Sequence, residues 1–99
     1  MPRFDVYRNE DGGGYLLDIQ ADILRDLNTR VVVPLMHPKN APTPAKRLNP
    51  SFQVGDETVV MVSQFMAAVP VAILKQPVAS LEPHHSEIVD AIDMLMQGF

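Results

Sequence analysis

Apolar and polar residues alternate in two segments near the start of the chain. The first contains Phe4 and Val6, and the second runs over residues 15–20 as Tyr-Leu-Leu-Asp-Ile-Gln. Alternation with a period of two is the pattern of a β-strand. Residues 9–14 lie between the two segments and end in three glycines, which adopt a positive φ without steric penalty. The pattern therefore predicts two strands joined as a hairpin with a flexible tip.

Residues 30–36, Arg-Val-Val-Val-Pro-Leu-Met, form a nearly unbroken apolar run. Such a run predicts a strand with apolar contacts on both faces. Pro34 has no backbone N–H to donate to a neighbouring strand, so we expect it at a sheet edge or at a bulge. The proline-rich segment that follows, residues 37–47, predicts a long exposed loop.

Shorter elements are predicted in the second half of the chain. Residues 52–62 contain two apolar segments around Gly55-Asp56, which is the pattern of another hairpin. Residues 64–68 predict a single helical turn, and residues 69–74 predict a strand that contains a proline.

The period changes at Glu82 and Pro83. A proline is well tolerated in the first turn of a helix, and the apolar residues beyond it recur at helical spacing. Met94 is an exception, because it projects on the polar side of the predicted helix. At about 100° per residue, the other large or small apolar side chains share one stripe: Ile88, Val89, Ala91, Ile92, Leu95, Met96 and Phe99.

Short strands followed by one amphipathic helix predict a mainly β fold. We expect a small barrel or sheet on which the C-terminal helix packs. A chain of 99 residues has the length of one domain. A single domain over residues 1–99 is therefore expected.

Charge and composition argue against several classes of function. The formal net charge is −4, with eight basic residues scattered along the chain, whereas direct binding to nucleic acid needs a basic surface. The chain has no cysteine, which excludes disulfides and makes a reducing cytoplasm the expected location. The N-terminus lacks the apolar stretch of a signal peptide, and the longest apolar run is too short to cross a membrane.

The sequence contains no recognisable motif for catalysis or for a cofactor. His84, His85 and Glu87 invite a metal site, but adjacent histidines on a helix point about 100° apart and cannot both face one ion well. The glycines at 12–14 lack the Lys-Ser/Thr of a phosphate-binding loop. We therefore expect no metal, no cofactor and no catalytic residue.

A metal-free ribonuclease is an alternative. Such an enzyme could combine Arg30, a carboxylate and a histidine for acid–base catalysis and for stabilising a phosphate. An arginine at the start of a strand, however, more often has a structural role in a hydrogen bond or a salt bridge.

Three apolar features are expected at the surface. Ile23 and Leu24 lie in a polar connector, Met94 lies on the polar face of the helix, and Phe99 is the last residue. Exposed apolar groups usually mark a surface that binds another protein. The sequence therefore favours a function in protein–protein contact.

Five segments, in this order, resemble the CcdB family of toxins from toxin–antitoxin systems. The resemblance covers nearly the whole chain and depends on the ordered set rather than on a single motif. The segments are residues 18–24 (DIQADIL), 30–35 (RVVVPL), 54–57 (VGDE), 66–71 (MAAVPV) and 91–99 (AIDMLMQGF).

The resemblance implies an SH3-like β-barrel with a C-terminal helix, a fold shared with the Kid and MazF ribonuclease toxins. It implies a non-enzymatic homodimer that binds the A subunit of DNA gyrase and traps the cleaved DNA–gyrase complex. It also implies neutralisation by a CcdA-like antitoxin. Toxin and antitoxin together would repress their own operator, whose DNA would be bound only through the antitoxin.

The resemblance also implies which residues bind these partners. Gyrase would be bound by the aliphatic pair of the connector and by the end of the helix: Ile23, Leu24, Asp93, Met96, Gln97, Gly98 and Phe99. The antitoxin would be bound by the first hairpin loop and by the loop after the third strand: Arg8, Asn9, Glu10, Asp11, Lys39, Lys46 and Arg47.

The end of the chain differs from the family pattern. The best-known member ends in Trp-Gly-Ile, where this sequence has Gln97-Gly98-Phe99, and Asp93 stands in place of an asparagine. Loss of an indole anchor costs about 2 kcal/mol or more at a binding hot spot, and burial of Phe99 would restore part of that. Two alternatives stay open: an endoribonuclease toxin of the Kid/MazF type, and a non-toxic homologue that binds only the antitoxin.

Overall fold

The structure is a computed structural model and describes residues 2–98. Within this range, seven strands pair into one antiparallel sheet, and one α-helix follows them. The elements are β1 (Asp5–Arg8), β2 (Tyr15–Asp18), β3 (Thr29–Met36), β4 (Ser51–Val54), β5 (Glu57–Met61), β6 (Ala67–Pro70), β7 (Pro77–Ser80) and α1 (His85–Gln97).

The sheet curls into half of a barrel. Its strands lie in the order β4-β5-β3-β2-β1-β7, and β6 pairs with the first part of β3. Single 3-10 turns connect the strands at Asp22–Leu24, Ser63–Phe65 and Val71–Ile73, and a further one at Glu82–His84 leads into α1. The predicted mainly β fold with a C-terminal helix is confirmed.

The main hydrophobic core lies between one face of the sheet and α1. Val6, Leu17 and Val33 of the three central strands are fully buried there, together with Ile88 and Ala91 of the helix. Their neighbours in sequence point to the opposite face of the sheet, because side chains alternate along a strand. There Tyr7, Leu16 and Val32 form a smaller cluster with Leu74, and Val69 packs against it. The central strands are thus buried on both faces.

Only the first half of the predicted helical stripe is buried. Ile88 and Ala91 are fully buried, and Ile92 is half-buried against the core. Leu95 is half-buried, and Met96 is 62% exposed. The predicted helix is confirmed, and its apolar stripe is left exposed where it reaches Met96.

Pro34 lies inside the sheet, contrary to the expectation of an edge or a bulge. It pairs with Leu16 of β2 on one side. Its carbonyl oxygen on the other side accepts a hydrogen bond from the N–H of Val62. On that side the partner of β3 changes from β6, which ends its pairing at Val32, to β5, which begins at Leu35. The missing N–H therefore faces a junction between two partner strands.

The elements after β5 differ from the prediction. The helical turn is Ser63–Phe65 rather than residues 64–68, and the strand expected at 69–74 is β6 at Ala67–Pro70 followed by a 3-10 turn. Strand β7 was not predicted. Both strands are short and mostly exposed, so they carry no clear alternation.

Candidate partner-binding surfaces

The connector between β2 and β3 exposes two of the predicted gyrase-binding residues. Ile23 and Leu24 lie on the 3-10 turn Asp22–Leu24, inside the segment 21–29, in which every residue is exposed. Ile23 is 85% exposed and Leu24 is 46% exposed. Large aliphatic groups held in solvent on a polar segment are typical of a protein-binding surface.

Gln20 supports the base of this connector. Its side-chain amide donates to the carbonyl oxygens of Leu24 and Thr29, at 3.1 and 3.3 Å. Its Oε1 accepts a hydrogen bond of 3.1 Å from the backbone N–H of Val31. One buried side chain thus binds the backbone in the middle of the exposed segment, at its last residue and just beyond it.

A buried ion pair lies next to Gln20. Nε and Nη2 of Arg30 donate to Oδ2 of Asp18, at 3.0 and 2.6 Å, and both side chains are wholly buried. Oδ1 of Asp18 accepts the backbone N–H of Gln20 at 3.1 Å. The polar positions of the alternating segment 15–20 are therefore buried, and they form a polar layer within the fold.

Burial changes the titration of the carboxyl groups in this layer. Desolvation raises the pKa of Asp18, and the hydrogen bond from Arg30 opposes that rise. Desolvation, followed by the negative charge of Asp18, also raises the pKa of Asp5. Two carboxylates close together in a low-dielectric region each make ionisation of the other more costly.

The end of α1 carries the other predicted gyrase-binding residues. Asp93 is half-buried, whereas Met96 and Gln97 are exposed. Gly98 ends the helix with a φ of 80°, and its N–H donates to the carbonyl oxygen of Met94 at 3.0 Å, which is the usual left-handed helix cap. The prediction for Phe99 lies outside the described residues. Met94, expected on the polar side, is half-buried.

The connector and the end of α1 have different supports. The connector is bonded through Gln20 to the central sheet, whereas α1 rests on the main core and on the turns at 63–65 and 82–84. The two sets of predicted gyrase-binding residues are thus presented by separate parts of one chain.

The first hairpin brings four predicted antitoxin-binding residues together. They lie at the edge of an open cavity of about 320 Å³, and an adjoining cavity of about 190 Å³ continues from it. The segment between β6 and β7 forms the other wall, which the sequence could not indicate because only folding brings this segment to the hairpin. The lining residues are Arg8, Asn9, Glu10, Asp11, Leu16, Ala72, Ile73, Lys75, Gln76 and Val78.

Gly14 positions this hairpin against β3. Its φ is 67°, and a Cβ at this position would collide with the carbonyl oxygen of Leu35. The third glycine of the run is therefore required by close packing of the backbone. The positive φ predicted for this glycine run is confirmed at Gly13 and Gly14.

The remaining predicted antitoxin-binding residues belong to a second surface. Lys46 and Arg47 line an apolar cavity of about 350 Å³, whose other wall includes Met94 and Leu95 of α1. Arg47 forms two hydrogen bonds with the carboxylate of Asp90, at 2.9 and 2.7 Å.

Lys39 is exposed in a turn at residues 37–40 and lines neither of these cavities. The structure therefore divides the predicted antitoxin site into separate surfaces.

Arg30, weighed for ribonuclease chemistry, and His84 and His85, weighed for a metal site, have structural partners. Arg30 is wholly buried in its pair with Asp18, so it cannot contact an RNA phosphate from this position. Nδ1 of His84 lies 3.1 Å from Oε1 of Glu87. The ring of His85 packs edge-on against Phe4, with 5.2 Å between centroids.

Within residues 2–98, no helix combines the length and the apolar character needed to cross a membrane.

Comparison with known proteins agrees with this architecture. A family model described as CcdB protein matches residues 3–98 of the chain. Among solved structures, an endoribonuclease in complex with its cognate antitoxin, from a mycobacterial species, superposes with a TM-score of 0.78. Sequence identity to that protein is 17%, with 97% of this chain and 95% of that chain covered, so the similarity concerns the fold. The chain belongs to the CcdB family, the family of toxins from toxin–antitoxin systems that its ordered segments resemble.

Proposed function

We propose that this protein is the toxin of a toxin–antitoxin system and poisons DNA gyrase as a homodimer. The observation that carries the proposal is the exposure of Ile23, at 85%, and Met96, at 62%, at the two places where the family binds gyrase. Membership of the CcdB family supports the same role. Since the target would be gyrase on bacterial DNA, the proposed site of action is the cytoplasm.

In the proposed mechanism the toxin makes and breaks no covalent bond. The ends of both α1 helices enter the A subunits while gyrase holds cleaved DNA, and they block resealing. A dimer with two identical tips fits a two-fold symmetric target. The connector residues Ile23 and Leu24 add apolar contact at the side of this interface.

An antitoxin of the CcdA type is the second proposed partner. The cavity between the first hairpin and Ile73 offers a mixed polar and apolar surface, and the cavity beside Met94 offers a mainly apolar one flanked by Lys46. We expect the antitoxin to neutralise the toxin by binding at these cavities. Operator DNA would be bound through the antitoxin, since the toxin has a net charge of −4.

A gyrase cleavage assay tests the main proposal. The purified protein is incubated with gyrase, ATP and plasmid, and linear DNA is measured after the enzyme is denatured. Wild-type protein should produce linear DNA, and Met96→Ala should need a higher concentration to do so. Ile73→Ala is the matched control, because Ile73 is also exposed, at 44%, but lies at the proposed antitoxin cavity. Full supercoiling with no linear DNA would overturn the proposal.

An endoribonuclease toxin is the alternative that the structural comparison favours, because the superposed protein is an endoribonuclease. Metal-free cleavage of a long RNA by the purified protein would support it. The burial of Arg30 argues against a role for this residue in RNA cleavage. A non-toxic homologue would instead co-purify with an antitoxin and leave cell growth unchanged.

The dimer is tested independently by sedimentation equilibrium of the pure protein. A single chain leaves large apolar side chains in solvent, including Leu27 and Phe65, each 51% exposed. A dimer would cover part of this surface. A monomer at micromolar concentration would contradict the proposed two-tip mechanism.

A further inference from the structure

Gln20 stands apart from the other polar residues near the proposed gyrase surface. It is 7% exposed, yet it lies directly before the wholly exposed segment 21–29. We infer that Gln20 is a positioning residue, which holds Ile23 and Leu24 in their binding geometry without contacting the partner. The identity of that partner as gyrase rests on the proposed function.

The connector has few other bonds to the body of the protein. Its turn is closed by local bonds, such as that from the N–H of Arg25 to the carbonyl oxygen of Asp22. At its two ends, the backbone N–H of Arg3 donates to Oδ1 of Asp22, and the N–H of Val71 donates to the carbonyl oxygen of Asn28. The bond from Arg3 is exposed, so water competes with it.

The amide of Gln20 joins the middle of the connector to its end. It binds the carbonyl oxygen of Leu24, at the end of the 3-10 turn, and that of Thr29, at the start of β3. The same group accepts the N–H of Val31. These three bonds are partly buried, and hydrogen bonds that are withdrawn from water restrict geometry more strongly than exposed ones do.

The chemistry of the position explains why it is a glutamine. Two donors and one acceptor are needed in one planar group, and an amide supplies all three. A glutamate would retain the acceptor and lose both donors, whereas a methionine of similar length would lose every bond. The buried pair of Asp18 and Arg30 fixes the backbone N–H of Gln20 through Oδ1 of Asp18. The backbone that carries the side-chain amide of Gln20 is therefore held in place.

Hydrogen exchange and gyrase cleavage, measured on the full-length protein, test this role with Gln20→Met and Gln20→Glu. The amides of Leu24, Arg25 and Leu27 should exchange at least tenfold faster in both variants, while those of the β4–β5 hairpin keep their rates. The toxin concentration needed for half-maximal linear DNA should rise at least tenfold. Gln53→Met is the matched control, because Gln53 is exposed and binds Thr58 within that distant hairpin.

A double-mutant comparison separates positioning from a general loss of stability. If Gln20 acts through Ile23, then Gln20→Met should weaken cleavage much less in an Ile23→Ala background than in the wild type. Equal effects in both backgrounds would overturn the inference. Unchanged connector amides, acceleration of all amides alike, or failure of both variants to fold would also overturn it.

The two proposals fail in different ways. If wild-type protein yields no linear DNA, the gyrase proposal fails, and the exchange rates alone decide whether Gln20 orders the connector. If the connector amides accelerate but cleavage is unchanged, the ordering is real and its role in binding gyrase is refuted.

Discussion

The two surfaces proposed to bind gyrase are held in place by different interactions. The connector at 21–29 is a loop with no buried side chain of its own, and directional hydrogen bonds from Gln20 hold it. The end of α1 is regular helix, which supplies its own backbone bonds up to Gly98. Apolar packing at Ile88 and Ala91 anchors that helix about one to two turns before the exposed Met96.

This difference predicts different sensitivity to substitution. A loop has no preferred geometry unless other groups impose one, so its binding residues depend on buried polar groups beneath them. A helix has fixed geometry once its base is packed, so residues at its tip can change without affecting the fold. Binding through the connector should therefore be lost when the buried residues that support it are replaced. Binding through the end of α1 should be lost when its own exposed side chains are replaced.

The strongest test of the connector's support is Arg30→Leu. This change leaves the carboxylate of Asp18 buried without its cation, which costs about 3–5 kcal/mol of stability. The free energy of unfolding, measured with urea, should fall by that amount. The double variant Asp18→Leu/Arg30→Leu should recover much of it, because neither charge of the pair is then left buried without its partner. A loss below about 1 kcal/mol for Arg30→Leu would contradict the importance of this pair.

Deletion of Gly98 and Phe99 tests the independence of the tip. Toxicity should be lost while folding and antitoxin binding persist, because the buried part of α1 ends well before Gly98. The affinity for gyrase should fall by about 2 kcal/mol or more, the scale of a hot spot. Ile88→Ala, at the base of the same helix, should instead lower stability by about 2–5 kcal/mol. A truncated protein that unfolds would show that the tip belongs to the core.

Asp5→Asn tests the charge balance of the buried polar layer. Burial and the nearby Asp18 raise the pKa of Asp5 above its ordinary value of 3.8, so ionised Asp5 destabilises the folded state. This cost is fully present above the folded-state pKa and disappears as the pH falls below 3.8. The variant should be more stable than the wild type at pH 7 in urea unfolding, and the difference should vanish in acid. Asp26→Asn, at an exposed site, should show no such convergence.

Arg47→Gln should have the smallest effect. Arg47 and Asp90 are 47% and 48% exposed, and exposed ion pairs contribute little to stability. Thermal unfolding in low salt should change only slightly, and 1 M NaCl should remove the difference through screening. A large loss of stability that persists in high salt would contradict this expectation. It would show that the pair stabilises the contact between the loop at 37–47 and α1 as strongly as the Asp18–Arg30 pair stabilises the connector.

The local elements could be predicted because their signals are local. The alternation at residues 15–20, the β-branched run at 30–36 and the helical period after Pro83 each reflect one element's own geometry. The exposure of Ile23 was also predictable, since the residues around it are polar. The order of the family-like segments extended this to the correct fold.

Other features could not be predicted from the sequence, because they depend on which strands and helices contact one another. Pro34 is accommodated because two different strands share one side of β3, which no property of residues 30–36 encodes. Asp18 and Gln20 are buried because both faces of the central sheet are covered, whereas alternation shows only that two faces differ. Leu95 and Met96 share the helical period of Ile88, but Leu95 is only half-buried and Met96 is exposed.

The amino-acid sequence thus carried the periods, the turn chemistry and the apolar residues left among polar ones, all of which act over a few residues. Folding alone established what covers each face, because burial depends on partners distant in the chain. Gln20 illustrates both the local signal and the effect of folding. The alternating pattern assigns it to the polar face of a strand, and only its three bonds to the backbone of residues 24, 29 and 31 make it the support of an exposed binding loop.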